Sequence, residues 1–572
     1  MSARAVRIIT EVGAVDRPFD YEVGDDVAHV GLGDRVRVNF HQRSVRGWVV
    51  GEVEPSGPLK VISKWLGFGP PASQLDVLRW ASERWYAPWS RFLAGASPTR
   101  LVTTLPVAPT KVALSPAVMA GAWSLPPGVV QLGPTTDPLA LIVAAYDATR
   151  EREGSLVVVV PGEGWASRLR GRLEQRGCAV ASGESQWDRM RAGWPVVVGA
   201  RGVALAPVPR LAGAVIVDAD DESLRSSAVP TWDAVTLLRE RCRRDGAPLW
   251  CTSIVPSPEL LDGGDYARGP DFGPSWPQVT VVDRRASDPR EGVLSRVALE
   301  SARVALDSDE PVAVVVVLQR LGEGRLLACT RCGELARCAQ CAQAELEADD
   351  GLACFDRHET RARFCRHCGS TSLKRLRVGV STLARDVSAQ LAQPVSEVTA
   401  ATPRADSPDI GSRVVVGTEA VWTRVRRCGV VVFVDFDQYL LAPRASARRA
   451  GIHAVGKAGR LVGSRREARG RVVLQTRRGE DPVVVALTAA DFGGVIAEDV
   501  ATARLLGLPP FGAVAEVTGE GADAFVASVS SGLVSVTRTP GGYVVRAPNV
   551  ATLSATLREI ERPTSKVRVA VR

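Results

Sequence analysis

Short apolar runs alternate with helical stretches through the middle of this 572-residue chain. Uninterrupted apolar strands separated by helices are typical of parallel sheets that are buried on both faces. The pattern therefore predicts two α/β lobes. Their strands are expected at Leu156–Val160, Val196–Gly199, Ala214–Asp218 and Leu249–Ser253 in the first lobe, and at Val312–Leu318, Val414–Gly417, Val430–Asp435 and Val472–Gln475 in the second.

The regions around the lobes have other patterns. The first hundred residues alternate apolar and polar positions, as in Val36–Phe40, which predicts a β-rich domain closed by a helix over Gln74–Arg91. The last residues predict a small α/β or β-rich C-terminal domain. The fold class is therefore α/β multidomain. The expected boundaries are 1–100 for the first domain, 101–128 and 263–290 for linkers, 129–262 and 291–500 for the lobes, and 501–572 for the C-terminal domain.

Seven cysteines gather in the second lobe, and six of them form three CxxC pairs. A CxxC pair lets two thiolates of one tight turn reach the same metal ion, and two pairs complete a tetrahedral zinc site. Gly333 and Gly369 follow the second cysteine of their pairs and suit such turns. The spacing predicts a zinc-binding insertion over residues 326–371, with reduced, inert thiols as the alternative. The cysteines are Cys329, Cys332, Cys338, Cys341, Cys354, Cys365 and Cys368.

Seven cysteines can complete one four-cysteine site, and the remaining three would form a second site that lacks its fourth ligand. The fourth ligand of a second zinc site could be His358, four residues after Cys354, because imidazole replaces thiolate readily. One zinc ion is expected, and a second is left open.

The net charge and the positions of the cysteines indicate which partners and which cellular compartment to expect. The net charge of +8 permits nucleic-acid binding, but an Arg-rich solvated surface explains it equally well. Arginines cluster at 424–427, 444–449 and 465–469, where they suit phosphate contacts. The other four cysteines are scattered, which favours a reducing cytosol over a disulfide framework. No apolar run is long enough to span a membrane, so a cytoplasmic location is expected.

Several short motifs surround the cysteine cluster in a fixed order. They are Asp16–Tyr21, Gly33–Val38, Val198–Arg201, Ala214–Asp218, Val416–Thr418, His453–Arg460 and Leu506–Phe511. In this order the chain resembles the PriA family of bacterial replication-restart helicases over nearly its full length. The resemblance implies two RecA-like lobes with a zinc-binding insertion in the second. It also implies a DNA 3′-end-binding domain at the N-terminus.

The resemblance also implies a pocket for the 3′ end of a DNA strand. Phe19 would stack on the terminal base, Asp20 would read an edge or hydroxyl, and Lys60 would meet phosphate. His41 stands where the family has glycine, and it would either crowd the pocket or add a contact. The alternative is that Phe19 is a core residue and Asp20 stabilises a turn.

The chain departs from the family at the parts that hydrolyse ATP. A phosphate-binding loop needs Gly-rich backbone and Lys followed by Ser or Thr, and no such GK[ST] occurs. Its place is taken by Leu132–Pro138, which contains two prolines and Asp137. Asp218 could still hold Mg²⁺, but Ala219 replaces the carboxylate that positions water.

Two further ATPase parts also differ. An arginine of the sixth motif is Lys457, although Arg460 is retained, and a coupling motif is reduced to Ser253–Pro256. The residues between the first domain and the first lobe are too few for the family's winged-helix domain.

These observations predict a restart protein that binds abandoned forks and initiates primosome assembly without ATP hydrolysis or unwinding. Its expected partners are forked and single-stranded DNA, single-strand-binding protein, other primosomal proteins and the replicative helicase in the bacterial nucleoid, with no membrane. Two alternatives stay open. One is an active ATP-dependent 3′→5′ helicase with an unrecognised phosphate site, and the other is a zinc-dependent protein scaffold without a DNA role.

Overall fold

The chain forms two units in a computed structural model. The first contains residues 1–130, 137–267 and 499–572, and the second contains 131–136 and 268–498. No helix among the described residues is long and apolar enough to cross a membrane. The structure describes residues 4–12, 16–55, 57–113, 125–285, 287, 291–309, 311–319, 327–340, 345–348, 351–354, 359–375, 380–399, 402, 411–442, 444–529, 532–539, 541–560 and 566–572.

The N-terminal residues form a six-stranded sheet, called here the front sheet, in the order β5-β2-β1-β4-β3-β6. Its neighbouring strands are antiparallel except β2 and β5. Its elements are β1 Ala5–Thr10, β2 Phe19–Glu22, β3 Arg35–Phe40, β4 Arg43–Val53, β5 Lys60–Val61 and β6 Lys64–Trp65, followed by α1 Ala72–Arg84 and α2 Trp89–Gly95.

The single helix expected over Gln74–Arg91 is in fact the helix pair α1 and α2. Tyr86 has a left-handed φ of +46° between them. Pro88, which precedes α2, has no N–H to donate and disfavours helical backbone in the residue before it. The apolar period continues across this break, which is why the sequence indicated one helix.

A seven-stranded sheet forms the first lobe in the order β13-β7-β12-β11-β8-β10-β9. The recorded pairs among β8 to β12 are parallel, and Val157, Val197 and Val215 at their centre are fully buried. The four strands expected here are present. The elements are β7 Gly128–Gln131, α3 Leu139–Thr149, β8 Ser155–Val159, α4 Glu163–Glu174, β9 Val180–Ala181, α5 Trp187–Ala192, β10 Val196–Gly199, β11 Leu211–Ile216, α6 Ala234–Asp245, β12 Leu249–Ser253, α7 Pro258–Leu261 and β13 Tyr266–Arg268.

The stretch 263–290, expected to be a linker, contributes strands to the sheets. Gln278–Asp283 pairs in parallel with Arg471–Thr476 at the edge of the second lobe. All residues of this strand are at least partly exposed, and polar residues interrupt its apolar ones. The sequence therefore contains no continuous apolar run here that would indicate a strand. The elements from here to the cysteine-rich insertion are α8 Phe272–Ser275, β14 Gln278–Asp283, α9 Arg296–Leu306 and β15 Val314–Val317.

The cysteine-rich insertion follows β15 and consists of two small antiparallel sheets. One pairs its first and last strands, and the other contains the three strands between them. The strands are β16 Leu327–Cys329, β17 Glu345–Ala348, β18 Gly351–Cys354, β19 Thr360–Arg361 and β20 Leu373–Arg375.

The second lobe resumes after the insertion and completes an all-parallel sheet in the order β14-β24-β23-β15-β22-β21. Three valine-rich strands at its centre are fully buried, as their uninterrupted apolar sequence predicts. The remaining elements are α10 Val380–Leu391, β21 Val395–Val398, β22 Val414–Gly417, α11 Val421–Arg424, β23 Val430–Phe433, α12 Asp437–Leu440, α13 Ala447–Val462, β24 Arg471–Thr476, α14 Pro482–Ala489 and α15 Gly493–Leu505.

The C-terminal residues form a four-stranded antiparallel sheet with two helices, in the order β26-β27-β25-β28. The sequence predicted a small α/β or β-rich domain here, and the sheet with its two helices is α/β. Val517, Val545 and Val571 share one apolar cluster with Leu78 of α1 and with Val197 of the first lobe. The elements are β25 Ala513–Thr518, α16 Ala522–Ala527, β26 Ser535–Thr539, β27 Gly542–Ala547, α17 Val550–Arg558 and β28 Arg568–Val571.

Candidate functional site

Four cysteine sulfurs meet where two CxxC turns face each other in the insertion. The Sγ atoms of Cys329, Cys332, Cys365 and Cys368 all lie within 4.8 Å of one another. The pairs Cys329–Cys368 and Cys332–Cys365 are each 3.5 Å apart. A tetrahedral site with Zn–S distances of about 2.3 Å places its sulfurs roughly 3.8 Å apart. The four thiols therefore fit one metal ion, and an all-sulfur donor set is compatible with zinc.

The two turns have matching geometry. The N–H of Gly333 donates to the carbonyl of Cys329 at 2.9 Å, and that of Gly369 donates to the carbonyl of Cys365 at 2.8 Å. Both glycines have left-handed backbone, with φ of +75° and +70°. A side chain at either position would be strained, as expected for these turns.

The thiol pKa values are split within the cluster. Burial raises the pKa of Cys329, but hydrogen bonds from backbone N–H groups and neighbouring thiols outweigh burial and set it to about 6. Burial and the adjacent thiols raise the pKa of Cys332 to about 12. One thiolate therefore forms readily, while further ionisation needs a cation to balance the charge.

The predicted second zinc site stays a prediction. Cys338 and Cys354 are buried, whereas Cys341 and His358 lie outside the described residues. An ion pair joins β17 and β19 near Cys354. Glu345 is fully buried and accepts a hydrogen bond of 2.8 Å from Nε of Arg361.

A carboxylate lies just before the N-terminus of α3, where a phosphate-binding loop is expected. Oδ1 of Asp137 accepts hydrogen bonds from the N–H of Leu139 at 3.0 Å and from Nη1 of Arg172 at 3.1 Å. Burial raises the pKa of Asp137, but these hydrogen bonds and the guanidinium charge outweigh it and lower the pKa below its usual value. The helix N–H groups that would receive a phosphate thus face an ionised side chain.

The sixth-motif residues lie on α13 in the second unit. Nε of Arg460 donates to the carbonyl oxygen of Pro134 at 3.0 Å. Pro134 lies in a turn that closes with a 3.1 Å hydrogen bond from the N–H of Thr136 to the carbonyl of Gly133. Arg460 therefore contacts loop backbone in this structure, and Lys457 lies half-buried one turn before it.

The acidic turn after β11 is tied to its neighbours within the first lobe. Asp218 has a φ of +49°, and its N–H donates to Oγ1 of Thr252 at 3.0 Å. The carboxylate of Asp220 accepts hydrogen bonds from Oγ of Ser253 at 2.7 Å and from the N–H of Ser257 at 3.1 Å. Asp220 thus has structural partners within the first lobe.

In the front sheet, Phe19 and Asp20 have different neighbours. The ring of Phe19 packs edge-on against Phe40 at 4.9 Å, and Asp20 pairs with Arg7 at 3.5 Å on the adjacent strand. Side chains alternate along a strand, so the two residues point to opposite faces of β2. A single ligand can contact both side chains only if it wraps around the edge of β2. The pocket therefore stays a prediction.

The remaining pocket residues flank this strand. The backbone of Lys60 is in register with Tyr21 of β2, and the Lys60 side chain is exposed. His41 lies at the exposed tip of the β3–β4 hairpin, with its ring 4.4 Å from that of Phe40. Sequence reasoning missed Phe40, because contact between two strands that are not neighbours depends on how the sheet curves.

Several arginines of the proposed basic clusters have partners within the second unit. Such contacts would have to be exchanged if these side chains bound DNA phosphates. The partners are the carbonyl of Thr402 for Arg424 at 2.8 Å, Asp481 and Glu498 for Arg448 at 3.1 Å, Asp271 for Arg466 at 3.0 Å and Glu467 for Arg469 at 2.7 Å.

Three scattered cysteines are core residues. Burial raises the pKa of Cys178 to about 11 and the pKa values of Cys242 and Cys251 to about 12. They stay protonated at neutral pH and are poor nucleophiles.

A family model of the PriA 3′DNA-binding domain (3′BD) matches residues 7–98, which include most of the front sheet and all of α1 and α2. The probable replication restart protein PriA of Mycobacterium leprae is 27% identical over 88% of this chain and 86% of its own length. The chain is therefore similar to PriA proteins, most clearly in its first hundred residues.

Other PriA proteins are matched over less of their length, and the chain spans about half of two of them. The replication restart protein PriA of Thermotoga maritima is 23% identical over 66% of this chain and 55% of its own length. For the Synechocystis PriA protein the match spans 48% of the relative. Among solved structures, RecG bound to a three-way DNA junction covers 68% of this chain and 46% of that chain with a TM-score of 0.35 and 11% identity, too low to bear on fold or function.

One half-buried acidic residue of the second lobe was not singled out as a site residue from the sequence. Asp435 follows β23, and its Oδ2 accepts a 3.0 Å hydrogen bond from Nε2 of Gln438. Its Oδ1 and the Oε1 of Gln438 are buried and accept no hydrogen bond from the described part of the chain. Burial and the nearby charge of Asp437 raise the pKa of Asp435 to about 6. The available signal was an aspartate at the carboxyl end of a buried parallel strand.

Proposed function

We propose that this chain is a replication restart protein that binds DNA at stalled or abandoned forks and initiates primosome assembly without hydrolysing ATP. The observation that carries the proposal is the match of residues 7–98 to the PriA 3′DNA-binding domain. Within that range, Phe19, Asp20 and Lys60 occupy neighbouring positions on β2 and β5. Their aromatic, acidic and basic side chains suit base stacking, hydroxyl recognition and phosphate contact.

The absence of ATP hydrolysis is supported by the chain's own side chains. Asp137, paired with Arg172, takes the helix N-terminus that a phosphate would need. Asp220 is hydrogen-bonded to Ser253, and Ala219 has no group to position water. The contributions that phosphoryl transfer requires, namely a phosphate cradle, a metal-holding carboxylate pair and an arginine fork, are therefore incomplete.

The four-cysteine cluster is proposed to hold zinc in a structural role. All four ligand positions are taken by Cys329, Cys332, Cys365 and Cys368, which leaves no open position for substrate or water. When bound, zinc would fix the two CxxC turns against each other. The insertion would then present a surface to single-strand-binding protein, other primosomal proteins or the replicative helicase.

The test is the affinity of the full chain for a synthetic fork whose leading strand ends at the junction in a 3′-hydroxyl, compared with the same fork ending in a 3′-phosphate. A preference for the hydroxyl that is lost in Asp20→Ala supports end recognition. Asp26→Ala is the matched control, since it removes an exposed carboxylate elsewhere in the same domain. Equal affinity for both forks contradicts end recognition, and no binding to either contradicts the whole proposal.

A further inference from the structure

Four side chains of the front sheet form a continuous row, called here the stacking row. The guanidinium carbon of Arg17 lies 5.2 Å from the ring centroid of Phe19. The ring of Phe19 lies 4.9 Å from that of Phe40, and the ring of Phe40 lies 4.4 Å from that of His41. The row therefore joins the start of β2 to the tip of the β3–β4 hairpin.

Exposure changes along the stacking row. The two phenylalanine rings in the middle are half-buried, and Phe19 packs against the core of the sheet. Arg17 and His41 at the two ends are exposed. The inner rings thus fix the positions of the outer groups, whose outward surfaces stay open to a ligand.

The backbone at the hairpin tip favours glycine, yet it carries this ring. His41 and Gln42 form the two-residue loop between β3 and β4, with φ values of +44° and +62°. Such a turn requires positive φ at both central residues and strongly prefers Asn or Gly. A side chain held at positive φ costs conformational energy, and such strain is concentrated at functional sites.

Planar groups of this kind bind unpaired nucleobases. Bases stack on histidine, phenylalanine and tyrosine rings and on arginine guanidinium planes. Stacking tolerates any base, because every base offers a π face, and it adds to phosphate contacts without depending on them. A His41 that served only the core would be buried, and it is not.

We infer that the stacking row holds two consecutive unpaired nucleotides of one DNA strand, one on the Arg17–Phe19 side and the next on His41. The inference rests on the proposed DNA binding by the front sheet, and it assigns that site a length of two nucleotides. It adds Arg17 and Phe40 to the residues that form it. His41 is the residue that holds the second base.

The test uses the full chain and a fork whose leading strand ends at the junction, with the nucleotide before the terminal one either intact or abasic. Binding is measured by fluorescence anisotropy over a range of salt concentrations. His41→Gly removes the ring and relaxes the backbone. Gln42→Gly, the matched control, relaxes the neighbouring residue and leaves the ring. His41→Phe keeps a ring. Circular dichroism establishes that each variant is folded.

His41→Gly is expected to weaken binding to the intact fork by about 5- to 150-fold, the range for one stacked base. The abasic fork should bind the wild-type protein more weakly by a similar factor, and the affinity of His41→Gly should hardly differ between the intact and abasic forks. The slope of affinity against salt should be unchanged, because no phosphate contact is lost. His41→Phe and Gln42→Gly should bind like the wild-type protein.

Two results overturn the inference. One is wild-type affinity in His41→Gly, and the other is an equal loss in Gln42→Gly. Either leaves the proposed function standing as long as the wild-type protein binds the fork. If the wild-type protein does not bind the fork at all, the proposed DNA binding fails first and the stacking row loses its ligand.

Discussion

Asp137 and Arg172 form an ion pair that uses both carboxylate oxygens, and the same carboxylate accepts a hydrogen bond from the first turn of α3. A nucleotide phosphate at this helix would have to displace a negative charge that the chain itself supplies. The Asp137 carboxylate therefore excludes a phosphate from the N-terminus of α3 in two ways, because it repels the negative charge and because it occupies the hydrogen-bond donor.

ATP turnover in the presence of single-stranded DNA is expected to be the same in the wild-type protein and in Asp218→Ala. The reason is that Asp218 is the remaining acidic residue with a metal-holding position in the family motif, so true turnover at this site would depend on it. Release of inorganic phosphate measures both proteins. Turnover that falls in Asp218→Ala would establish an active ATPase and contradict the proposed function.

Cys365→Ser is expected to remove one zinc ion per chain and to expose the insertion to protease. Structural zinc contributes folding energy directly, so loss of one thiolate ligand opens the module. Elemental analysis measures the metal. Cys178→Ser is the control, since Cys178 is buried in the first lobe and should leave the metal content unchanged. Equal zinc in both variants would contradict the assigned ligand set.

Glu345→Gln is expected to destabilise the insertion by about 3–5 kcal/mol, because it leaves the Arg361 guanidinium buried without its counter-charge. Glu347→Gln breaks a comparable but more exposed pair with Arg363 at 3.3 Å, and it should cost less than about 1 kcal/mol. Denaturant-induced zinc release, followed with a chromophoric chelator, compares the midpoints. Similar midpoints in the two variants would show that the buried ion pair contributes no more to stability than the exposed one.

Asp435→Asn is expected to stabilise the second unit above pH 6 and to remove part of its pH dependence. The pKa of Asp435 is about 6 in the folded chain, against about 3.9 in an unfolded one. The folded state binds more protons between these values, so stability falls as pH rises through this window. The gain in unfolding free energy near pH 8 should be about 1–3 kcal/mol.

Urea denaturation at several pH values measures this effect. Asp386→Asn, which changes an exposed carboxylate on α10, is the control and should have little influence. A variant at Asp435 that loses stability at all pH values would show that its charge is needed for folding.

The sequence predicted best what depends on local pattern. Val414–Gly417 was found because a strand buried on both faces has no polar residue to interrupt it. CxxC spacing showed which thiols share a turn, but it did not show that the turns at Cys329–Cys332 and Cys365–Cys368 are the two that meet. Gln278–Asp283 was missed because an edge strand keeps polar residues.

Local patterns do not predict contacts between segments that are far apart in the sequence. The approach of Phe40 to Phe19 depends on the curvature of the front sheet, and the pairing of Asp137 with Arg172 depends on how α4 lies against the loop before α3. Neither leaves a periodic signal in the chain.

The first unit is made of three separate stretches, and the last of them begins at Asp499. Val545 and Val571 in that stretch lie in the same apolar cluster as Leu78. During synthesis the second unit therefore has all of its residues while the first still lacks part of its core. Ribosome-bound chains stalled before Ala513 should be cut within α1 and α2 by a protease that spares the released protein. Until the stretch from Asp499 onwards has been made, the apolar cluster around Leu78 is incomplete and its remaining side chains are exposed.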